Sequence, residues 1–284
     1  EPYLEALKKE LSFIAGQMKD RPLHTVYMGG GTPTTLPPEQ LRELLEFLSK
    51  TFPVHRVKEF TVVAGRPDTI TEENLAVLRD YPVSRISINP QTMDQNTLDM
   101  IGRRHTVEDT ERAYRLAREM GFDNVNMDLI VGLPGEGKTE VARTLEEMKR
   151  LRPDSLTVHS LALKRATRLN LFRDQYAEIS FENSQEIMEM TGRCAAELDM
   201  GPYYLYRQKN MAGNFENVGY SVEGKAGLYN ILIMEEKQSI MAAGPGASTK
   251  FVFEDGARIE RAENVKDLKQ YVERIDEMLE RKRA

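Results

Sequence analysis

A parallel α/β fold, either a doubly wound sheet or a barrel, is what this sequence predicts, and three observations carry the prediction. Short apolar runs alternate with segments of helical periodicity over the first ~160 residues, each strand–helix unit takes roughly 25 to 40 residues, and polar or glycine-rich loops follow nearly every strand. Alternation of this kind is resolved by right-handed crossovers between parallel strands. In either architecture the ligand site lies at the strands' C-terminal ends, where the connecting loops gather.

The elements follow in order. Leu4, Leu7, Leu11, Ile14 and Met18 recur at three- and four-residue spacing, so the chain opens on an amphipathic helix. A strand at Thr25–Met28 runs into the loop Gly29-Gly-Gly-Thr-Pro-Thr34, and a helix beginning at Pro37–Pro38 shows an apolar face of Leu41, Leu44, Leu45 and Leu48. Strand Phe60–Val63 precedes a helix through Leu75 and Leu78, and strand Arg85–Asn89 precedes one around Leu98. A further helix runs from an N-cap at Thr106 to a stop at Gly121. Strand Asn124–Val131, a helix with Val141, Leu145, Met148 and Leu151, and strand Ser155–Ser160 complete the regular part. After Lys164 the rhythm changes to a helix around Ile187–Leu198, an aromatic strand Tyr203–Tyr206, a glycine-punctuated stretch, the apolar run Tyr229–Met234 and a terminal helix carrying Val265, Leu268, Val272, Ile275 and Leu279. We read residues 164–284 as an α+β extension packed against the parallel sheet of residues 1–163, not as an independent domain. The opening helix has no strand before it, so the expectation is that a piece at the N-terminus is missing and the chain is a truncated form of a longer protein.

Composition narrows the class. The 284 residues are 40% hydrophobic and 30% charged, as in globular proteins, with a formal net charge of -6. That acidic balance predicts no nucleic-acid partner, and the lack of a long apolar run or a secretion signal predicts no membrane partner and a cytoplasmic setting. The single cysteine, Cys194, excludes an internal disulfide framework and any metal site built only from this chain's thiolates. Cys194 and the fourteen methionines read as core.

Several motifs carry chemistry. Three consecutive glycines after a strand weaken a fold unless a ligand needs close approach to the backbone. Gly132-Leu-Pro-Gly-Glu-Gly-Lys-Thr139 formally matches a phosphate loop and supports a rival reading as a nucleotide hydrolase. Against it, Pro134 removes an N–H from the cradle, and strand Ser155–Ser160 supplies no magnesium-binding Asp. Asp128 is an acid inside an apolar strand, where it either forms a structural ion pair or accepts hydrogen bonds from ribose hydroxyls. Gln91, Arg103 and Arg104 stand on connections after the preceding strand, and Arg103 has the fork geometry for a carboxylate. His105 and His159 are weaker candidates, and neither a Ser-His-Asp arrangement nor a His/carboxylate metal cluster is discernible.

Taken together, Tyr27-Met-Gly-Gly-Gly-Thr-Pro-Thr34, Arg85-Ile-Ser-Ile-Asn-Pro-Gln91 and Asp128-Leu-Ile-Val-Gly-Leu-Pro-Gly-Glu136 resemble the radical S-adenosylmethionine (SAM) enzymes, and among them the oxygen-independent coproporphyrinogen III oxidase group. The likeness extends through Ala162 and, more weakly, Ala243-Gly-Pro-Gly-Ala-Ser248, while Ala64-Gly-Arg-Pro-Asp68 and Glu235-Glu-Lys-Gln238 look like a shorter, clostridial-type branch. The resemblance implies a partial (β/α)6 TIM-like barrel over residues 1–163, completed and capped by residues 164–284, with SAM across the strand ends. It assigns the SAM amino group to Gly30, Gly31 and Thr32, ribose to Gln91 and Asp128, the methionine carboxylate to Arg103 and the adenine surroundings to the backbone at Ala162. It implies oxidative decarboxylation of coproporphyrinogen III to protoporphyrinogen IX, in which a SAM-derived radical abstracts hydrogen from a propionate side chain and loss of CO2 and an electron leaves a vinyl group. A tetrapyrrole substrate and an electron-donor protein are the partners implied. Haem trafficking or methyl transfer are the alternative activities on such a scaffold. Two departures stand out: Val63 occupies the place of a family glutamate that contacts SAM, and the C-x3-C-x2-C ligands of the family's [4Fe–4S] cluster are not in this chain.

Overall fold

The computed structural model describes residues 2–19, 21–161, 183–206 and 215–283. Helix α1 (Pro2–Gln17) leads into strand β1 (Thr25–Met28), followed by α2 (Pro38–Thr51), β2 (Glu59–Gly65), α3 (Glu72–Arg79) and β3 (Arg85–Gln91). Then come α4 (Gln95–Met100), α5 (Val107–Glu119), β4 (Val125–Val131), α6 (Lys138–Leu151) and β5 (Ser155–Ser160). Beyond these lie α7 (Gln185–Glu197), β6 (Gly201–Tyr206), β7 (Asn217–Ser221), α8 (Leu228–Glu235), the hairpin β8 (Ser248–Phe253) and β9 (Arg258–Glu263), and helices α9 (Leu268–Glu273) and α10 (Ile275–Glu280). The strand order is β1-β2-β3-β4-β5-β7-β6 in one seven-stranded sheet. The first five strands are mutually parallel, β7 runs against β5, and β6 runs against β7, so β6 points the same way as the first five.

The sheet is curled. Helix α8 touches β1 and β2 at one edge and β6 at the other, which a flat sheet of seven strands would not allow. Period-2 alternation then separates two faces. Phe60, Val62, Ile86, Ile88, Val125, Met127, Leu156 and Val158 are almost wholly buried under the helices. Glu59, Thr61, Arg85, Ser87, Asn126, Asp128, Ser155 and Thr157 occupy the alternate, concave face. This is a barrel with a polar interior, the partial barrel that the resemblance implies.

Local signals explain most boundaries. Thr106 and Asp109 form a capping box at the start of α5, and Gly121 at φ +84° ends it, as predicted. The apolar run Tyr229–Met234 lies in α8, which has no capping side chain of its own. Instead Glu59, at the start of β2, accepts hydrogen bonds from the backbone N–H of Leu228 (2.6 Å) and Tyr229 (3.1 Å). The single terminal helix expected from periodicity is two helices broken at Arg274, and Val265 precedes both.

Candidate active site

At the C-terminal end of β1 the glycines do different jobs. A Cβ on Gly29 would fall 2.6 Å from the Tyr27 ring and 3.0 Å from Val63, so that glycine is required by packing. A Cβ on Gly30 or Gly31 would meet nothing within 4 Å, and Gly30 stands at φ +94°, so here the backbone is laid open to a ligand. The loop is fastened from behind. Thr34 Oγ1 donates to the Ala64 carbonyl at 2.5 Å, lies 2.8 Å from Thr69 Oγ1, and the Thr34 carbonyl accepts from Asn74 Nδ2 at 2.8 Å.

Strands β2 and β3 both end in bulges. Val63 lies opposite Ser87 but Gly65 opposite Ile88, and Ile88 lies opposite Met127 but Gln91 opposite Leu129, so each strand carries one extra residue. The bulges end on Gly65 at φ +77° and on Gln91 at φ +72°. A positive φ at glutamine is strained backbone, and it is held in place: His105, fully buried, lies with Nε2 3.1 Å from the Pro90 carbonyl. His105 thus acts on Gln91 through the backbone. Among the described residues the Gln91 side chain makes no hydrogen bond, although the residue is only 7% exposed. Its amide is uncommitted.

Asp128 follows one strand over. Its Oδ1 accepts from Asn126 Nδ2 at 2.6 Å and from Ser87 Oγ at 3.5 Å, and no cation is paired with it among the described residues. The structural ion pair considered from sequence is therefore absent there, and Oδ2 is left for a ligand. Asn126 is itself held by Ser155 and Thr157 hydroxyls, and Arg85 donates to Ser155, so the carboxylate rests on a hydrogen-bonded floor. Arg103, on the connection after β3, donates its backbone N–H to the Leu98 carbonyl at 2.9 Å, and its side chain makes no hydrogen bond or ion pair to a described residue. Burial and the neighbouring Arg66 both disfavour its charged form. An open backbone, a free amide, a free carboxylate oxygen and a guanidinium with no ion pair thus stand on the ends of β1, β3 and β4 and the connection after β3. Ala162 lies outside the described residues.

Tyrosines line the concave side. Tyr27 stacks on Tyr229 with ring centroids 4.2 Å apart, and Tyr203 meets Tyr204 edge-on at 5.0 Å. Tyr27 is 40% exposed, and burial of its phenol pushes its pKa well above the usual range. Gly219 on β7 makes room for Tyr204, whose Cε1 lies 2.0 Å from where a Cβ would stand. None of these tyrosines was singled out from sequence as a site residue; their signal is four phenols brought together by strands and a helix distant in the chain.

The segment Gly132–Thr139 does not form a phosphate cradle. Gly137 N–H is taken by Glu140 Oε2 at 2.9 Å, and Lys138 is paired with Glu186 on α7. A phosphate at this helix start would meet a carboxylate. Glu136, 2% exposed, instead accepts from Thr92 Oγ1 at 2.5 Å and ties the segment to the β3–α4 connection. Burial pushes its carboxyl up to about 7, against an ordinary value of 4.5, while hydrogen bonds from Thr92 and Thr97 oppose that shift. A carboxyl held protonated in the fold stabilises it fully below the unfolded value and loses that contribution as pH rises through about 7. Between pH 5 and 8 the loss is expected to be of order 3 kcal/mol. Glu136→Gln removes this slope, as urea titrations at the two pH values will register; an unchanged slope in the variant refutes the assignment.

The open glycines, Asp128, Gln91 and Arg103 fit the amino, carboxylate and ribose groups of a nucleoside-linked amino acid such as SAM. An iron–sulfur cluster finds no ligand set: Cys194 is buried on α7 with its thiol pushed up to about 11 by burial, and the described residues contain no group of three His, Cys, Asp or Glu placed to hold a metal. No helix of the described residues is long and apolar enough to cross a membrane.

A partial parallel barrel whose strand ends offer such groups defines a cofactor-binding α/β barrel, and comparison with known proteins specifies which. The Radical SAM superfamily model matches residues 4–148, and the chain belongs to that superfamily. Its members use SAM and a [4Fe–4S] cluster. The chain is 46% identical over 283 residues to the "Oxygen-independent coproporphyrinogen-III oxidase-like protein HemZ" of Bacillus subtilis, covering 99% of this chain and 56% of that protein. It is 33% identical over 168 residues to the "Heme chaperone HemW" of the same organism, covering 59% of this chain and 44% of that one. The solved coproporphyrinogen III oxidase (HemN) of Escherichia coli shares the fold, with a TM-score of 0.73 at 23% identity over 98% of this chain and 62% of that one. The chain spans about half the length of the curated relatives it matches.

Proposed function

We propose that this chain is the SAM-binding barrel of a radical SAM oxidoreductase that converts coproporphyrinogen III to protoporphyrinogen IX without oxygen. The observation that carries the cofactor half is the set of uncommitted groups at adjacent strand ends. On this reading the backbone at Gly30, Gly31 and Thr32 receives the SAM amino group, Gln91 and Asp128 the ribose, and Arg103 the methionine carboxylate. Bound SAM supplies the hydrogen-abstracting radical; the chain's own residues orient it and shield it from solvent. Val63 lies beside Gly29 and Tyr27 and offers no acceptor, so this loop binds through its backbone and Arg103 carries more of the affinity. The cluster ligands are assigned to sequence outside this chain, and the electron donor to a separate protein.

The substrate half is supported by the likeness to the HemZ-type protein over nearly the whole chain. A second reading, haem trafficking, is favoured by the heme-chaperone relatives that match about three-fifths of it. Full-length protein, reconstituted anaerobically and given SAM, a reductant and coproporphyrinogen III, separates the two. The oxidase reading expects protoporphyrinogen IX, with two CO2 released per molecule. Stable haem retention with no porphyrinogen turnover would replace it with the trafficking reading.

A further inference from the structure

Arg66 opens the connection after β2 and has no part in the cofactor site just described. Its guanidinium is held side-on by Asp68, with Nε donating to Oδ1 at 3.1 Å and Nη2 to Oδ2 at 2.8 Å. An arginine has five N–H donors, so this fork uses two and leaves three, on Nη1 and the far side of Nη2, in a fixed orientation. The backbone beneath is locked as well: the Arg66 carbonyl accepts from Thr69 Oγ1 at 2.9 Å and Thr69 N–H at 3.0 Å, and Thr69 Oγ1 lies 2.8 Å from Thr34. The preceding residue, Gly65, packs so closely on the side chain of Thr32 that a Cβ there would fall 2.7 Å from Thr32 Cγ2. Arg66 therefore leaves the sheet directly beside the glycine loop.

Arg103, on the connection after β3, lies near enough to feel the opposed charges of Arg66 and Asp68, and His105 beside it feels Asp68 as well. The balance is two guanidinium groups and one carboxylate, and that carboxylate is already engaged by Arg66. A local Arg66–Asp68 pair that is partly exposed contributes little to the fold. It does not account for the three N–H donors that Arg66 keeps free beside a second guanidinium, that of Arg103, which has no ion pair among the described residues. Anions from a ligand do.

We propose that Arg66, oriented by Asp68, is a second carboxylate receptor of this site, adjacent to but separate from Arg103, and that it binds a carboxylate of the substrate. On the functional reading above, on which this rests for the identity of the ligand, that group is a propionate of the tetrapyrrole. The cofactor carboxylate then goes to Arg103 and the substrate carboxylate to Arg66, which sets the substrate's edge against the glycine loop. Asp68 is the positioning residue.

The test uses full-length protein and two fluorescent probes, coproporphyrin III and its uncharged tetramethyl ester. Arg66→Gln is expected to weaken the tetra-acid about 10- to 100-fold while leaving the ester and SAM within about twofold. Arg66→Lys restores part of the tetra-acid affinity but not the fork. Equal losses for acid and ester, or no loss for either, overturn the receptor. Wild-type protein that binds neither porphyrin instead removes the tetrapyrrole reading. The receptor is then decided by phenylglyoxal labelling: mellitate, a polycarboxylate without pyrroles, slows modification of the Arg66 peptide if the receptor exists, and leaves its rate unchanged if it does not.

Discussion

Glu10→Ala is expected to cost about 3–5 kcal/mol of unfolding free energy. Glu10 lies on α1 and is 0% exposed, and four donors converge on it from the other end of the sequence. Tyr271 OH reaches Oε2 at 2.5 Å and Gly244 N–H reaches it at 2.8 Å, while Asn264 Nδ2 and Lys282 Nζ each reach Oε1 at 2.7 Å. Lys282 is also 0% exposed and donates to Asn264 Oδ1. Removing the acceptor leaves the Lys282 ammonium with Asn264 Oδ1 as its partner and no carboxylate, and it strands the Tyr271 hydroxyl and the Gly244 N–H in the interior at their full desolvation cost. Lys282→Met is the milder change, because Glu10 keeps three neutral donors. A Glu10→Ala, Lys282→Met double variant should lose less than the sum of the two single changes, since partners removed together leave no orphan charge. Urea unfolding of the four proteins measures this; strictly additive losses would show that the two side chains are not coupled. The cluster also gives a physical role to Ala243–Ser248, whose Gly244 offers both its N–H and its carbonyl, the latter to Asn264 at 2.7 Å.

What the sequence showed and what it hid divide along range of interaction. The order of strands and helices through Ser160 was legible because each boundary is written locally, in a cap such as Thr106 or a stop such as Gly121. The barrel was legible only through resemblance, although the residues contain a direct sign of it. Glu59 and Thr61, Arg85 and Ser87, Asn126 and Asp128, and Ser155 and Thr157 alternate with apolar neighbours, whereas strands covered on both faces read as continuous apolar runs. Helix α8 was not legible, since the carboxylate that caps it stands 169 positions earlier. The same holds for Glu10, which from sequence is a polar residue on an amphipathic helix. Arg66 lay within a stretch noted only as a likeness, and no periodicity marks an arginine whose meaning comes from Asp68 two residues on and Arg103 across a junction. His105 was a weak candidate because a lone histidine carries little signal; its contact with the Pro90 carbonyl makes it a support for Gln91.

Asp128→Asn should raise the stability of the unliganded protein while weakening SAM binding about 100-fold, and the opposed signs are what make the prediction discriminating. In the free protein the carboxylate carries a charge with no cation beside it, supported by Asn126 and Ser87 alone. A charge held in a protein without a partner is a cost to the fold. Replacing it with a neutral amide of the same shape keeps Oδ1 as the acceptor for Asn126 and removes that cost, so the thermal midpoint moves up. With SAM bound, the free Oδ2 is the acceptor expected for ribose hydroxyls, and hydrogen bonds to a charged acceptor are each worth about 1.5–3 kcal/mol. An amide NH2 in that place offers donors to donors. A structural acid would behave in the other direction: its loss would lower the midpoint and leave SAM affinity nearly unchanged. Calorimetric titration with SAM and thermal unfolding without it, on the same two proteins, give both signs. A residue kept at a cost to the fold is one the fold does not need, and the bulge that strains Gln91 beside it belongs to the same trade of stability for a ready site.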